Sequence, residues 1–301
     1  MTDTGDLFPG FESHWIDTDA GRIFARSRGE GPPLVLLHGF PQTHACWHRI
    51  APALAETHAV VCMDLRGYGW SSAPVGDAAH AVYSKREMGR DVIAVMESLG
   101  HVRFAVIGHD RGARVGYRLA LDGPGRVERL ALLDILPTAT MWEKIRAGEA
   151  VAPHWPFLAR PAPEPEREIG RDPLAYFDGL LAKWSKDGTL GAFDPRALAA
   201  YRQSCNEPSR IHAFCEDYRA GAGVDAEQDA ADLALHRTLT CPTLIVWSDY
   251  LARGGATETP PAVWRRSFAP DIREARVNTG HFVAEEDPAG VLAALQAFLR
   301  S

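Results

Sequence analysis

Short unbroken apolar runs alternate with stretches of helical spacing along the first half of the chain. Leu34-Val35-Leu36-Leu37-His38-Gly39 and Ala59-Val60-Val61-Cys62-Met63-Asp64 read as buried parallel strands. Between Ser84 and Leu99 the residues Met88, Val92, Val95, Met96 and Leu99 recur at helical spacing, and Gly100 supplies the stop. A third strand is expected at 104–107, a helix over 112–120 and a further strand at 130–135. From about Pro137 to Leu235 no strand pattern appears, and Pro153, Pro156, Pro161, Pro163 and Pro165 mark joints where helices stop. Strands resume at 243–247 and near 272–277, and a last helix covers 288–299. Such alternation builds an α/β fold, a doubly wound and mostly parallel sheet with helices on both faces. The expected division is a core of residues 1–136 and 236–301 and an inserted helical cap of residues 137–235. Ligands of such sheets bind at the carboxyl ends of the strands, where a cap shuts out water.

Chemistry enters at Gly108-His109-Asp110-Arg111-Gly112, between the strand at 104–107 and the next helix. Small residue, X, nucleophile, X, small residue at a strand-to-helix turn is the pattern of the nucleophile elbow. Esterases and lipases carry serine at its centre; this chain carries Asp110. A carboxylate attacking a carbonyl gives an anhydride, whereas at a saturated carbon it gives an alkyl ester that water then cleaves. An aspartate here is also a good helix cap, so the reading depends on what else converges. His281, in Asn278-Thr279-Gly280-His281-Phe282 after the last strand, stands where the order nucleophile, acid, histidine puts the base. Asp134, at the tip of an apolar strand, and Asp249, two residues past Trp247, are both available as its acid. Asp134 is preferred, because a carboxylate on a buried strand tip needs a partner to offset desolvation. After the first buried strand, His38-Gly39-Phe40-Pro41 is the kind of loop that forms an oxyanion hole, from the backbone N–H groups of Phe40 and Arg111.

Composition narrows the classes. In 301 residues, 46% apolar and 24% charged, the chain suits one large α/β domain or a core with an insertion. A net charge of −7 without a basic face makes nucleic acid and anionic membranes poor partners. An anionic substrate must then be captured by local positive groups. Five cysteines without CxxC spacing read as free thiols in a reducing cytosol, with no zinc site and no disulfide framework. Met1-Thr2-Asp3-Thr4-Gly5-Asp6 lacks the basic and apolar regions of a signal peptide, and no apolar run approaches the ~20 residues of a membrane span. A cytoplasmic protein without metal or cofactor is expected.

Several segments together resemble the haloacetate dehalogenases of the α/β-hydrolase fold, closest to the fluoroacetate dehalogenases. They are residues 38–44 (HGFPQTH), 64–69 (DLRGYG), 108–114 (GHDRGAR) and 134–138 (DILPT), with His154-Trp155 and 215–220 (CEDYRA) in the cap. The resemblance implies Asp110 as nucleophile, His281 as base and Asp134 as its acid. It also implies Arg111 and Arg114 as the clamp on a substrate carboxylate, and His154, Trp155 and Tyr218 as the halide pocket. Side-chain chemistry agrees: two arginines three positions apart share a helix face, and guanidinium suits bidentate capture of a carboxylate. Imidazole, indole and phenol supply three compact donors for a departing halide. A small haloacid substrate and a homodimer follow from the same resemblance. In one respect the chain departs from it: many relatives place an acid four residues after the strand-seven tryptophan, where this chain has Leu251. Two other readings compete. An epoxide hydrolase uses the same nucleophile and base but needs two cap tyrosines, for which Tyr176, Tyr201 and Tyr218 are available. A non-catalytic binding protein of the same fold would have no use for the intact constellation.

Overall fold

A computed structural model describes residues 7–150, 152–252 and 258–300. Met1 to Asp6, the segment that would carry a leader, lie outside the described residues. The chain opens with an antiparallel hairpin, β1 (Glu12–Thr18) and β2 (Gly21–Arg28). It continues through β3 (Pro33–Leu37), α1 (Ala51–Leu54), β4 (Ala59–Met63), α2 (Lys85–Ser98), β5 (Phe104–His109), α3 (Arg111–Asp122) and β6 (Val127–Leu133). The hairpin is absent from the sequence expectation. β1 forms one edge of the sheet and its side chains are half-buried or exposed, Trp15 by 44%, so the apolar run that marks an inner strand is missing.

Helices alone are described between β6 and β7. They are α4 (Thr138–Arg146), α5 (His154–Leu158), α6 (Glu164–Ile169), α7 (Pro173–Trp184), α8 (Pro195–Cys205), α9 (Pro208–Ala222) and α10 (Val224–Ala234). Proline opens α7, α8 and α9, where its fixed φ suits the first turn and its missing N–H costs nothing. Asp172 and Asp194 cap the first two of these, accepting from the N–H of Ala175 and Arg196. The chain then returns through β7 (Thr243–Ser248), α11 (Asp249–Ala252), α12 (Pro260–Ser267), β8 (Arg273–Val277), α13 (Val283–Glu286) and α14 (Pro288–Leu299).

The eight strands lie in the order β1-β2-β4-β3-β5-β6-β7-β8. β2 runs antiparallel to both neighbours, and every pair from β4 to β8 is parallel. From β3 the chain moves outward to β4, then crosses back to β5 on the other side. That reversal parts the connections at the carboxyl ends of β3 and β5, where an open α/β sheet has its crevice. Leu37 and Gly108 are register partners, so the loop at 38–41 and the turn at Asp110 sit side by side. All six residues of β5 are buried. Each fully buried Val, Leu or Ile contributes about 1.5–3 kcal/mol by leaving water, which makes these strands a rigid floor. No helix among the described residues is long and apolar enough to cross a membrane.

Candidate active site

The turn between β5 and α3 holds Asp110 at φ 44° and ψ −113°, a conformation that costs a non-glycine residue about 1–3 kcal/mol. Its flanks must be glycine: a Cβ on Gly108 would lie 2.5 Å from the Cα of Ala113, and one on Gly112 2.2 Å from the carbonyl oxygen of Leu37. Asp110 is only 8% exposed. Its Oδ1 accepts the backbone N–H of Phe40 at 3.0 Å. Among the described residues the Arg111 amide, the second expected oxyanion donor, makes no bond to Asp110. A resting carboxylate oxygen and a tetrahedral oxyanion occupy different points, so a donor placed for the second need not bond the first.

His281 faces this carboxylate, with Nε2 3.7 Å from Asp110 Oδ2, an ion-pair distance too long for a hydrogen bond. On its other side Nδ1 lies 2.7 Å from Asp134 Oδ2. Asp134 follows β6 at φ 57° and is fixed by the Ser248 N–H, 2.8 Å from Oδ1. Asp249 lies elsewhere: it is partly exposed and takes Nε of Arg276 at 2.8 Å. Burial alone would lower the His281 pKa, but the charges of Asp110 and Asp134, together with the hydrogen bond to Asp134, raise it to about 10. The resting imidazole is therefore protonated at neutral pH. The stabilisation it brings is complete below about pH 6.5 and is lost as pH rises through about 10. Burial likewise opposes ionisation of Asp110, yet His281, then Arg111 and Arg114, hold its carboxyl well below the usual range. At neutral pH it is ionised, the state in which a carboxylate can act as a nucleophile.

Arg111 and Arg114 project from the first turn of α3 and are almost wholly buried. Arg111 is held by Asp217 of α9, Nε giving Oδ2 a bond of 3.1 Å and Nη2 reaching Oδ1 at 2.6 Å and the backbone oxygen at 2.8 Å. Asp217 also receives the Tyr68 hydroxyl at 2.6 Å and the ammonium of Lys85. Burial opposes its ionisation, but Arg111 and Lys85 bring its pKa to about 2. Arg114 donates from Nη1 to the Leu136 oxygen at 3.1 Å and to Thr138 Oγ1 at 3.0 Å. Each guanidinium keeps one buried nitrogen with no hydrogen-bond partner, Nη1 on Arg111 and Nε on Arg114. A buried donor without an acceptor is costly, and two charged ones beside Asp110 call for an anion.

His154, Trp155 and Tyr218 are brought together on the inserted helices. Tyr218 has its ring centroid 5.7 Å from that of His154 and 5.8 Å from that of Trp155, and it packs edge-on to Phe40 at 5.3 Å. Burial lowers the His154 pKa to about 3, so its imidazole is neutral. Burial, then the charge of Asp110, pushes the Tyr218 phenol well above its ordinary value, so its O–H stays a donor. A cavity of about 290 Å³ opens beyond His154, bounded by Phe157, Tyr176, Trp184 and Tyr250. Among the described residues no cluster of three or more His, Cys, Asp or Glu side chains could hold a metal ion, and the five cysteines are unpaired.

Sequence reasoning missed two residues here. Asp217 stands in the sequence only as one member of the 215–220 motif, although an acid within a helix otherwise buried around it demands a cationic partner. Trp184, 4.5 Å from His154 and 5.9 Å from His281 between ring centroids, closes the site from α7 and left no sequence signal beyond its aromatic character.

Comparison with known proteins gives four findings. Residues 32–288 match the family model of the α/β-hydrolase fold. A fluoroacetate dehalogenase from Burkholderia sp is 44% identical, the match covering 97% of this chain and 95% of that protein. A soluble epoxide hydrolase from Corynebacterium sp. (strain C12) is 33% identical, over 95% of this chain and 93% of that protein. Among solved structures, ALR0039 from Nostoc sp PCC 7120 superposes with a TM-score of 0.91 at 44% identity, covering 97% of this chain and 99% of that one.

Proposed function

Since the chain belongs to the α/β-hydrolase family, we propose that its Asp110 site is a haloacetate dehalogenase, a hydrolase acting on carbon–halogen bonds. Haloacetate and water become glycolate, halide and a proton. The observation that carries the reading is the pair of buried guanidinium N–H groups, on Arg111 and Arg114, without an acceptor beside a carboxylate nucleophile. They take the substrate carboxylate and set C2 in front of Asp110. One Asp110 oxygen displaces the halide at C2, forming an ester bond as the carbon–halogen bond breaks. Charge leaves Asp110 in that step, and with it part of what keeps His281 protonated. His281 then releases its Nε2 proton to solvent, the proton of the overall equation, and acts as base for the water that attacks the ester carbonyl, while Asp134 holds its ring. The Phe40 N–H serves the oxyanion of that second step. Residues 137–235 act as the cap, supplying His154, Trp155 and Tyr218 to the departing halide. A cytoplasmic homodimer belongs to the same reading, and light scattering tests its oligomeric part.

An epoxide hydrolase is the rival, supported by the 33% identical relative. It needs two phenols on the oxirane oxygen, yet the Tyr201 hydroxyl donates to Glu285 Oε2 at 3.1 Å and Tyr176 lines the outer cavity. A neutral epoxide would also leave both arginine N–H groups unmet. Parallel assays with fluoroacetate, chloroacetate and styrene oxide separate the two. Halide release without diol is expected; diol without halide would replace this reading.

Within it, Tyr218→Phe is expected to lower kcat for fluoroacetate more than for chloroacetate. Fluoride leaves with greater dependence on hydrogen bonds, and a charge-assisted bond is worth about 1.5–3 kcal/mol, a factor of about ten or more. Matched rate measurements on both substrates check this. Equal losses would reduce Tyr218 to a wall of the pocket.

A further inference from the structure

Trp142 lies on α4, outside every segment that the sequence motifs mark. It is buried, and its indole N–H has no partner. Its surroundings are those of the anion clamp. Thr138, four positions earlier and so on the same face of α4, accepts from Nη1 of Arg114. The Trp142 ring packs edge-on to Trp155 at 5.2 Å, and Trp155 has the guanidinium of Arg114 over its face at 4.6 Å and that of Arg111 at 5.6 Å. Across from it, α9 has a glycine. Around the point where a Cβ on Gly221 would sit, the nearest atoms are all nitrogens: Arg111 Nη2 at 3.2 Å, Trp142 Nε1 at 3.8 Å and Arg111 Nη1 at 4.0 Å. Two of these three, Trp142 Nε1 and Arg111 Nη1, are buried donors that lack an acceptor. Donors facing one another across a site without a side chain repel, unless an anion comes between them.

We propose that the Trp142 indole N–H is a third donor to the substrate carboxylate, completing with Arg111 Nη1 and Arg114 Nε a set of three around one anion. The inference rests on the haloacid reading of the site. A carboxylate has about four acceptor positions, so three N–H groups leave room for it to present C2 to Asp110. A neutral donor added to two cations supplies direction where a third charge would add only attraction. Trp142 is thus a residue that selects carboxylate, and it has no part in halide departure.

Acetate is the probe, because it carries the carboxylate and cannot be turned over. Trp142→Phe keeps the ring and deletes the N–H. Calorimetric titration is expected to show acetate affinity reduced about tenfold. The KM for chloroacetate rises by a similar factor while kcat stays within about twofold, and inhibition by chloride is unchanged. Gly221→Ala places a methyl group among the three nitrogens, and alanine is the better helix former, so its loss of acetate affinity cannot come from a weakened α9. Unchanged acetate affinity in folded Trp142→Phe overturns the proposal, as does weakened chloride inhibition with acetate unaffected. If Trp142→Phe does not fold, unchanged acetate affinity in Gly221→Ala overturns it. Weaker acetate binding in a protein that releases no halide would keep the anion site and remove the dehalogenase reading. Normal halide release with wild-type acetate affinity in the variants would do the reverse.

Discussion

A His281→Asn variant given chloroacetate is expected to stop after one displacement, with a glycolyl ester on Asp110 detectable by mass spectrometry of that peptide. Displacement at carbon needs only an ionised carboxylate, and Asp110 is held well below its ordinary pKa by His281, Arg111 and Arg114. Asparagine removes one of these supports, yet the two arginines remain. Hydrolysis is different, because water must lose a proton as it attacks. Removing a general base slows such a step by about 10²–10⁴-fold, so the ester accumulates. Asp110→Asn in turn abolishes turnover, since a neutral amide is a far poorer nucleophile. Isotopic water gives the decisive control: in a single turnover of the wild type, the new glycolate oxygen comes from Asp110. Labelled oxygen in that first glycolate would mean that water attacks carbon directly, and the covalent route would fall.

Asp134→Asn is expected to be as damaging, by about 10³–10⁴-fold in the hydrolytic step. Asp134 receives His281 Nδ1 at 2.7 Å and is itself fixed by the Ser248 amide at 2.8 Å, so the ring is aimed from a rigid strand end. An amide at this point can present its NH2 to Nδ1 and hold the ring in the tautomer that has no free base at Nε2. Asp249→Asn breaks only a partly exposed pair with Arg276, worth about 0–1 kcal/mol, and leaves turnover near wild type. Pre-steady-state ester decay in the two variants tests the pair. Ester accumulation in Asp249→Asn alone would show that the wrong carboxylate has been chosen.

The inner strands were legible because burial on both faces forces continuous apolar runs, as at 104–107, and proline and glycine punctuate what lies between. The β1–β2 hairpin was not, since Glu12–Thr18 at the sheet edge alternates exposed and half-buried positions with little apolar content. Positions of the site residues at strand ends could be read from chain order, but their contacts could not. Asp134 and Asp249 look alike in sequence, each near the end of an apolar strand; only the packed sheet puts one against His281 and the other against Arg276. The bond from Arg111 to Asp217 spans 106 positions, and nothing local to either residue announces it. The lone N–H of Trp142 is likewise a property of packing, because an indole lacks a partner only once its neighbours are known.

Asp217 and Tyr218 are consecutive on α9, and on the proposed haloacid reading they serve opposite ends of the ligand: one aims Arg111, the other faces the leaving group. An α-helix does not stretch, so the span from anion clamp to halide donor is a fixed length, and the protein carries a molecular ruler. The ruler is graduated for a halogen and a carboxylate on one carbon. Adding a methylene moves the carbon–halogen bond off the line from Asp110, so 3-chloropropionate should bind as an anion yet release chloride far more slowly than chloroacetate does. Comparable chloride release from both acids would show that the spacing is soft. Slower release from the longer acid would place selectivity by size in a backbone interval between two neighbours in sequence, which a larger pocket alone would not relax.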